Sequence, residues 1–378
     1  MTLQPSWTWA QNVDDVLLIL ALVVAIPRLW RANGLYVLVV AFYSALMVVA
    51  LIRSSVSAAI TLELFRASMI PAVLLLIGLV LSAREFRNAA LTWLAMSTFN
   101  ALYMLAEMFG FRMIDPVRFY SAIGSQTHIY EAYHGMPGAY LYWSDDGSVA
   151  LRAGGIVMNP PIAGTMVAIG AVIAFHLVKR VSVKFLLVGI NLLALWASQG
   201  RGGAVIVAIG LVLPIIVRKV GVPLAFGLLL PFGIVAYGRF SSAGDSVSHV
   251  EGFVHGVSVS LTKLFGDGFG TAGNAVKLTL RNEESSESLV GIVLVAGGTM
   301  SLVVVLALVI ALLRRVRRGS DAWAQYLGLA ALISAFFSES SGALAGAAFM
   351  WLALGAALGT PIARVPSDGR ARSDSLRP

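Results

Sequence analysis

The chain contains no cysteine, so disulfides, thiolate metal sites and thiol nucleophiles are excluded as the basis of its fold or chemistry. Charged residues are also scarce, at 12% of the chain, whereas a soluble domain carries roughly a quarter. Hydrophobic residues make up 58%. A chain so poor in charge cannot cover its own core with polar surface. We therefore predict an all-α polytopic membrane protein.

Long apolar runs mark the predicted membrane spans. A helix needs about 20 apolar residues to cross the hydrocarbon core. This window predicts about eleven spans, at 13–30, 34–52, 62–83, 88–110, 156–178, 181–199, 202–217, 221–238, 287–313, 323–340 and 342–359.

Basic residues predict the orientation. Most of the 27 lysines and arginines fall in alternate connections and in the C-terminal tail, which are therefore predicted to be cytoplasmic. The N-terminus is then outside and the C-terminus inside. The net charge of +8 consequently divides into a strongly basic inner face and an acidic outer face, so nucleic acid is excluded as a partner.

Two long connections remain on the outer face, at 111–155 and 239–286. Loops of this length in a compact protein are usually functional or disordered, and these two are too aromatic and apolar to be tethers. The predicted organisation is thus four N-terminal helices (1–110), a first external loop (111–155), a membrane core that includes the second loop (156–360) and a disordered tail (361–378).

Arg201 occupies a tight, glycine-flanked turn between two apolar helices on the outer face. A guanidinium held by small residues at a helix start can grip phosphate oxygens, and nearby backbone amides can add to the binding. An arginine that reaches lipid headgroups from the interface is the alternative. Glu63 and Arg66, three residues apart, are predicted to pair along one helix.

The second loop contains glycine-rich and acidic segments. G-D-G-F-G (residues 266–270) matches no nucleotide-binding motif and indicates a backbone turn that needs glycine. Glu284 and Glu287 lie in a serine-rich stretch before the next helix and either cap that helix or supply a general base. His249 has no metal-ligand spacing and is kept as an alternative acid or base.

The first loop is rich in aromatic residues. Flat aromatic rings suit sugars, and they also suit the membrane interface. We predict Tyr140, Tyr142 and Trp143 as sugar-binding residues and leave the interfacial alternative open.

Several of these segments occur in an order that resembles the O-antigen ligase and polymerase family of bacterial surface-polysaccharide enzymes. They are R-A-G-G-I-V-M-N-P-P (152–161), S-Q-G-R-G-G (198–203), Asp245 with His249, G-D-G-F-G-T (266–271), E-S-S-E-S-L (284–289) and Gly297-Gly298. The resemblance covers about residues 110–359. It implies a glycosyltransferase-C-like membrane fold and a metal-independent, inverting glycosyltransferase without a cofactor.

The resemblance also implies site roles and partners. Arg201 matches the arginine that engages the donor pyrophosphate, and Arg281 matches a loop arginine near the acceptor site. We predict that Arg201, Arg281 and Arg239 bind the substrate pyrophosphate. The family's ligases carry a His-Asn pair where this chain has E-S-S-E-S, which is more similar to polymerases and leaves the base open among Glu284, Glu287 and His249.

The implied substrate is an undecaprenyl-pyrophosphate-linked oligosaccharide at the outer face of the bacterial cytoplasmic membrane, with the bilayer and proteins of polysaccharide export or chain-length control as further partners. We predict a polysaccharide polymerase-type glycosyltransferase. The alternatives are an O-antigen ligase or protein O-oligosaccharyltransferase, and a non-enzymatic transporter or flippase of lipid-linked sugars. A transporter favours polar or broken helices near the bilayer midplane, whereas the polar clusters here lie outside.

Overall fold

The structure is a computed structural model, and it describes residues 13–122, 129–130, 135–143, 148–221, 245–270, 272–273, 288–315 and 322–359. The predicted span 221–238 falls largely outside these residues, and the predicted disordered tail at 361–378 falls wholly outside them. The number of eleven spans therefore stays a prediction.

The described chain is mostly helical. Its helices are α1 (Val13–Leu29), α2 (Gly34–Ile52), α3 (Ala58–Val80), α4 (Ala83–Met108), α5 (Pro116–Ala122), α6 (Pro160–Leu177), α7 (Val181–Ser198), α8 (Arg201–Val220), α9 (Asp245–Thr262), α10 (Leu289–Arg315), α11 (Trp323–Phe337) and α12 (Leu344–Leu358). A π-helical turn, Ala208–Val212, lies within α8.

Among the described helices, seven are long and apolar enough to cross a membrane, namely α2, α3, α4, α6, α7, α8 and α10. Helices α11 and α12 are shorter and also apolar. Apart from 221–238, each predicted span coincides with a described helix whose ends lie within about five residues of those predicted. The described chain is therefore mostly helical and compatible with a polytopic membrane protein, as the hydropathy predicts, although the all-α prediction omits the strands described below.

Side-chain contacts bring two of the predicted basic connections, those that follow α1 and α10, to one end of the helices. Arg28, at the end of α1, bonds to Glu85 in the first turn of α4 at 2.7 Å. Arg315, at the end of α10, lies 5.3 Å from the ring of Tyr36 near the start of α2. The end of α1, the starts of α2 and α4 and the end of α10 thus lie together, as the predicted orientation requires of these four helices. The orientation of the chain in the membrane stays a prediction.

Arg66 does not pair with Glu63 as predicted. Its guanidinium instead bonds to Asp14 and Asp15 at the start of α1, at 2.7 Å in each case. The two aspartates reach it because α1 packs beside α3. The pair predicted within one helix is in fact a bridge between two helices.

Helix α6 lies at the centre of the bundle. Its alanines and glycines are buried along most of its length, and it contacts α4, α7, α8 and α12. The glycines allow close approach: a Cβ on Gly170 would lie 2.7 Å from Oδ1 of Asn191 in α7. Small residues of this kind let membrane helices pack backbone to backbone.

Helix α9 occupies part of the predicted second external loop. It is 18 residues long and packs along α10, with Gly252, Gly256 and Ser260 buried on its contact face. A Cβ on Gly256 would lie 2.8 Å from the carbonyl oxygen of Gly291 in α10. Hydropathy misses this helix because histidine and glutamate interrupt its apolar residues, whereas the small residues four apart indicate a packed helix.

Helix α10 is broken at Gly298, where φ is 61° and ψ is −148°. In an unbroken helix, the two amides after Gly298 would donate to the carbonyls four residues earlier. Here they donate to the carbonyls of Lys263 and Leu264, at 3.0 and 3.2 Å. The carbonyls that lose their helical partners accept from the amides of Asp267 and Gly268, at 2.8 and 3.2 Å. The turn after α9 therefore replaces the hydrogen bonds that the break removes.

The G-D-G-F-G segment forms this turn, as the glycine pattern predicts. Gly266, Gly268 and Gly270 all have positive φ. Phe269 between them is 1% exposed and packs edge-on against Phe65 of α3. The segment is thus a buried part of the core rather than a surface loop.

The first external loop adds two small antiparallel pairs of strands to the helical fold. Strands β1 (Ile129–Tyr130) and β2 (Met136–Pro137) pair with each other, and β3 (Leu141–Trp143) pairs with β4 (Val149–Leu151). The second pair leads into the start of α6 and positions the site described next.

Candidate functional site

The turn between α7 and α8 presents Arg201 at the first position of α8. Gln199 ends α7 in the left-handed conformation, with φ of 51°, and the amide of Gly200 donates to Oγ of Ser198 at 3.1 Å. A Cβ on Gly200 would lie 3.3 Å from Cα of Gly164 in α6, so the turn packs directly on that helix. The predicted arginine between small residues at a helix start is therefore confirmed.

The β3–β4 hairpin places Tyr142 and Arg152 on the same face. Tyr142 pairs with Ala150 across the hairpin. Arg152 follows Ala150 by two residues, and side chains two apart in an extended chain point to the same side. The two side chains are therefore diagonal neighbours, which brings a second arginine to the ring of Tyr142.

Arg152 and Arg201 both contact the ring of Tyr142. The guanidinium carbon of Arg152 lies 4.9 Å from the centre of the Tyr142 ring, and that of Arg201 lies 5.2 Å from it. Nη2 of Arg201 also donates to the Tyr142 hydroxyl at 2.7 Å. Two guanidinium groups thus lie against one aromatic ring, close enough together for one multidentate anion to contact both. We call Arg152, Tyr142 and Arg201 the arginine–tyrosine cluster.

A buried clamp from α4 holds the chain just after Arg152. Oε2 of Glu107 accepts the amide of Gly155 at 2.7 Å, and Oδ1 of Asn100 accepts the amide of Ile156 at 2.8 Å. Gly155 has φ of 61°, and a Cβ there would collide with Oδ1 of Asn100. Only glycine fits this turn without strain.

The predicted sugar-binding aromatics have different environments. Tyr142 belongs to the cluster, whereas Tyr140 is 1% exposed and its hydroxyl donates to Sδ of Met158 at 3.7 Å. Burial raises the pKa of the Tyr140 phenol far above its ordinary value, so it stays protonated. Its ring is a core ring and presents no face to a sugar, which corrects that prediction. Trp143 ends β3, and its side chain lies outside the described atoms.

The other predicted site residues lie largely outside the described part of the chain. This applies fully to Arg239, Arg281, Glu284 and Glu287, so their predicted roles stay predictions. His249 belongs to α9, but its side chain is outside the described atoms, so its predicted role also stays a prediction.

The start of α10 bears on the capping alternative for the acidic stretch. Ser288 is buried, and its Oγ accepts the amide of Gly291 at 3.0 Å and donates to the carbonyl of Ala335 at 3.2 Å. Ser288 thus caps the helix that the acidic stretch precedes. Glu284 and Glu287 lie outside the described residues, so capping and general-base catalysis both stay predictions for them.

Contacts place the start of α10 at the same end as the cluster. Gly164, beside the Arg201 turn, lies in the first turns of α6, and Gly346 of α12 packs against Ile162 two residues earlier. Gly342 lies in the turn just before α12, and this turn contacts the start of α10, since a Cβ on Gly342 would lie 3.4 Å from Leu289. The cluster and the residue that follows the acidic stretch therefore belong to one end of the helices.

Sequence reasoning missed Arg152 and Glu107 as site residues. Arg152 has a signal, because it opens the segment that resembles the polysaccharide enzymes. Glu107 has a weaker sequence signal. It is a carboxylate in the last turn of an apolar helix, where its interaction with the helix dipole is unfavourable. Neither residue's contact with its partner could be read from spacing along the chain.

The Tyr142 hydroxyl is expected to orient Arg201 for anion binding. Tyr142→Phe keeps the ring but removes a hydrogen bond of about 1 kcal/mol, so binding of inorganic pyrophosphate should weaken about fivefold in titration calorimetry. Tyr142→Ala should weaken it further because both arginines lose the ring. Tyr36→Phe, beside Arg315 at the other end, is the matched control and should bind normally. Unchanged binding by both Tyr142 variants would show that the ring plays no part.

No family model, curated protein or solved structure matches the chain. Within the described ranges, no group of three or more His, Cys, Asp or Glu side chains is arranged to hold a metal ion.

Proposed function

We propose that the chain is a polysaccharide polymerase-type glycosyltransferase that joins undecaprenyl-pyrophosphate-linked repeat units at the outer face of the bacterial cytoplasmic membrane. The observation that carries the proposal is the arginine–tyrosine cluster. Its two arginines lie at one end of apolar helices, at the end where the acidic stretch enters α10. The N-terminus is on the outer face and the C-terminus in the cytoplasm in this proposal.

The cluster matches the charge of the proposed leaving group. A pyrophosphate offers several oxygens, and a guanidinium binds phosphate through parallel, charge-assisted hydrogen bonds. Arg201 and Arg152 would hold the pyrophosphate and offset the negative charge that develops as it leaves. Arg152 takes a role here that the sequence assigned to Arg281 and Arg239, which can add to it from the second loop.

The proposed reaction is a single displacement. A hydroxyl oxygen of the acceptor attacks the anomeric carbon of the donor sugar, and a new C–O bond forms with inversion. The bond from that carbon to the pyrophosphate oxygen breaks, and its electron pair leaves with undecaprenyl pyrophosphate. The acceptor proton goes to a general base, for which Glu284, Glu287 and His249 stay the candidates, and which contributes about 10²–10⁴-fold.

The broken helix is the observation that favours a transporter, the second candidate function. Discontinuous helices in transporters offer their freed carbonyls and amides to substrate and ions. In this chain, the groups freed on both sides of Gly298 are bonded to the turn that begins at Lys263. The break is therefore filled by the protein's own backbone, and we favour the enzyme.

Surface glycan length in cells tests the proposal. Arg152→Ala and Arg201→Ala are each expected to remove long chains while a single repeat remains attached at the surface, and Glu284→Ala or Glu287→Ala is expected to do the same where that glutamate is the base. A ligase defect would instead leave long chains on the carrier lipid, and a flippase defect would trap single units inside. Normal glycan length and attachment in all four variants would refute the enzymatic proposal.

A further inference from the structure

We propose that Glu107 is a positioning residue that sets the separation between Arg152 and Arg201 through the Gly154–Gly155 turn. The inference rests on the proposed function, because it concerns the same pyrophosphate site. Glu107 itself would touch neither the substrate nor the reacting atoms.

The burial of Glu107 is costly and needs a reason. Its side chain is 5% exposed, and Oε1 accepts no hydrogen bond from the described residues. A buried carboxylate with an unsatisfied oxygen lowers stability, and a well-packed apolar residue would fill the same space at lower cost. What the carboxylate supplies is a strong acceptor for the amide of Gly155.

Hydrogen bonds link the Glu107 clamp to both arginines. The amide of Arg152 donates to the carbonyl of Tyr140 at 2.8 Å, and the amide of Ala153 donates to the carbonyl of Ala197 at 3.0 Å. Ala197 lies near the end of α7, just before the turn that presents Arg201. The segment after Arg152 is thus bonded on one side to the end of α7, just before the turn that presents Arg201, and on the other side to α4.

A carboxylate suits this position better than a carboxamide. A carboxylate oxygen is a stronger acceptor for the Gly155 amide than a carboxamide oxygen, and a glutamine with its oxygen on that amide would bury its NH₂ group where Oε1 has no partner among the described residues. Glu107→Gln therefore keeps the size of the side chain but weakens the hold on the turn. We expect Arg152 to lose its fixed place relative to Arg201.

Relative affinity for two lipids measures this geometry. Two arginines at a fixed separation should bind a diphosphate headgroup more tightly than a monophosphate headgroup. The experiment measures binding of undecaprenyl pyrophosphate and of undecaprenyl monophosphate to the purified full chain in lipid nanodiscs. Glu107→Gln is expected to lower the ratio of the two affinities about tenfold, through loss of charge-assisted binding at one arginine.

Two further variants separate positioning from general damage. Tyr103→Phe removes a hydroxyl that accepts the amides of Met113 and Ile114, at 2.8 and 3.2 Å, near the same end of α4. It should leave the affinity ratio unchanged. Glu107→Asp keeps the carboxyl group but shortens its reach to the Gly155 amide, so it should also lower the ratio below that of the unaltered protein, by less than Glu107→Gln does. This variant also carries the test where Glu107→Gln does not fold.

The outcomes distinguish this inference from the proposed function. If Arg152→Ala and Arg201→Ala lower the affinity ratio and the Glu107 variants do not, the positioning role is overturned and the pyrophosphate site stands. If the unaltered protein does not prefer the diphosphate lipid, and both arginine variants bind as it does, the proposed function fails. A fall in the ratio for Glu107→Gln and the arginine variants, with none for Tyr103→Phe, supports both.

Discussion

Arg201→Ala is expected to slow the transfer of repeat units at least about 100-fold. Removing one preorganised donor to charge that develops in a transition state costs about 10²–10³ in rate. Arg201 is fixed for this purpose by its place at the start of α8 and by the 2.7 Å hydrogen bond to Tyr142. The measurement is the initial rate of glycan elongation by the purified protein on a lipid-linked repeat unit.

Two further variants provide a conservative comparison and a control for Arg201→Ala. Arg201→Lys keeps the positive charge but loses the planar fork that binds two phosphate oxygens, so an intermediate rate is expected. Arg118→Ala is the matched control, because Arg118 lies in the first external loop, which also contains Tyr142, is 77% exposed and approaches only Asp115, at 3.6 Å, among the described acidic groups. A rate for Arg201→Ala equal to that of Arg118→Ala would remove Arg201 from the mechanism.

Gly298→Ala is expected to have the largest effect on stability among substitutions in the described core. Gly298 has a φ of 61°, and a Cβ there would collide with the carbonyl oxygen of Lys263 and the amide of Gly266. The strain of that backbone conformation and the overpacking should together cost roughly 3 kcal/mol or more. Thermal unfolding in detergent should show a strongly lowered Tm or no folded protein.

Gly189→Ala provides the control for this substitution. Gly189 lies inside α7 and has nothing within 4 Å of where a Cβ would lie. Alanine there should be neutral or raise stability by about 1 kcal/mol through helix propensity. Equal Tm values for Gly298→Ala and Gly189→Ala would show that the break in α10 and its bonds to the turn do not stabilise the fold.

The helices could be predicted because the bilayer fixes the length of an apolar run. Predicted ends of spans such as 34–52 and 181–199 agree with α2 and α7 to within about one residue. The break in α10 could not be placed in this way, since its apolar run is continuous from Leu289 onward. Only the paired glycines at 297–298 hint at it, and the partner that fills it is about 30 residues earlier in the chain.

Part of the candidate site was also predictable. Arg201 in a small-residue turn is visible because the turn is local, whereas the strands that place Tyr142 were not predicted, since each is three residues long. Arg152 and Glu107 depend on contacts between α4, the hairpin and α7, which spacing along one chain does not encode. Arg66 illustrates the same limit, because its partners on α1 are about 50 residues from it.

The most direct test of the central claim uses the purified protein in liposomes with a single undecaprenyl-pyrophosphate-linked repeat unit. We predict a ladder of lipid-linked glycans that differ by one repeat, with one undecaprenyl pyrophosphate released for each unit added, and no ladder with Arg201→Ala. A substrate that remains a single repeat in the presence of the unaltered protein, while crossing the bilayer, would contradict the account and establish transport instead.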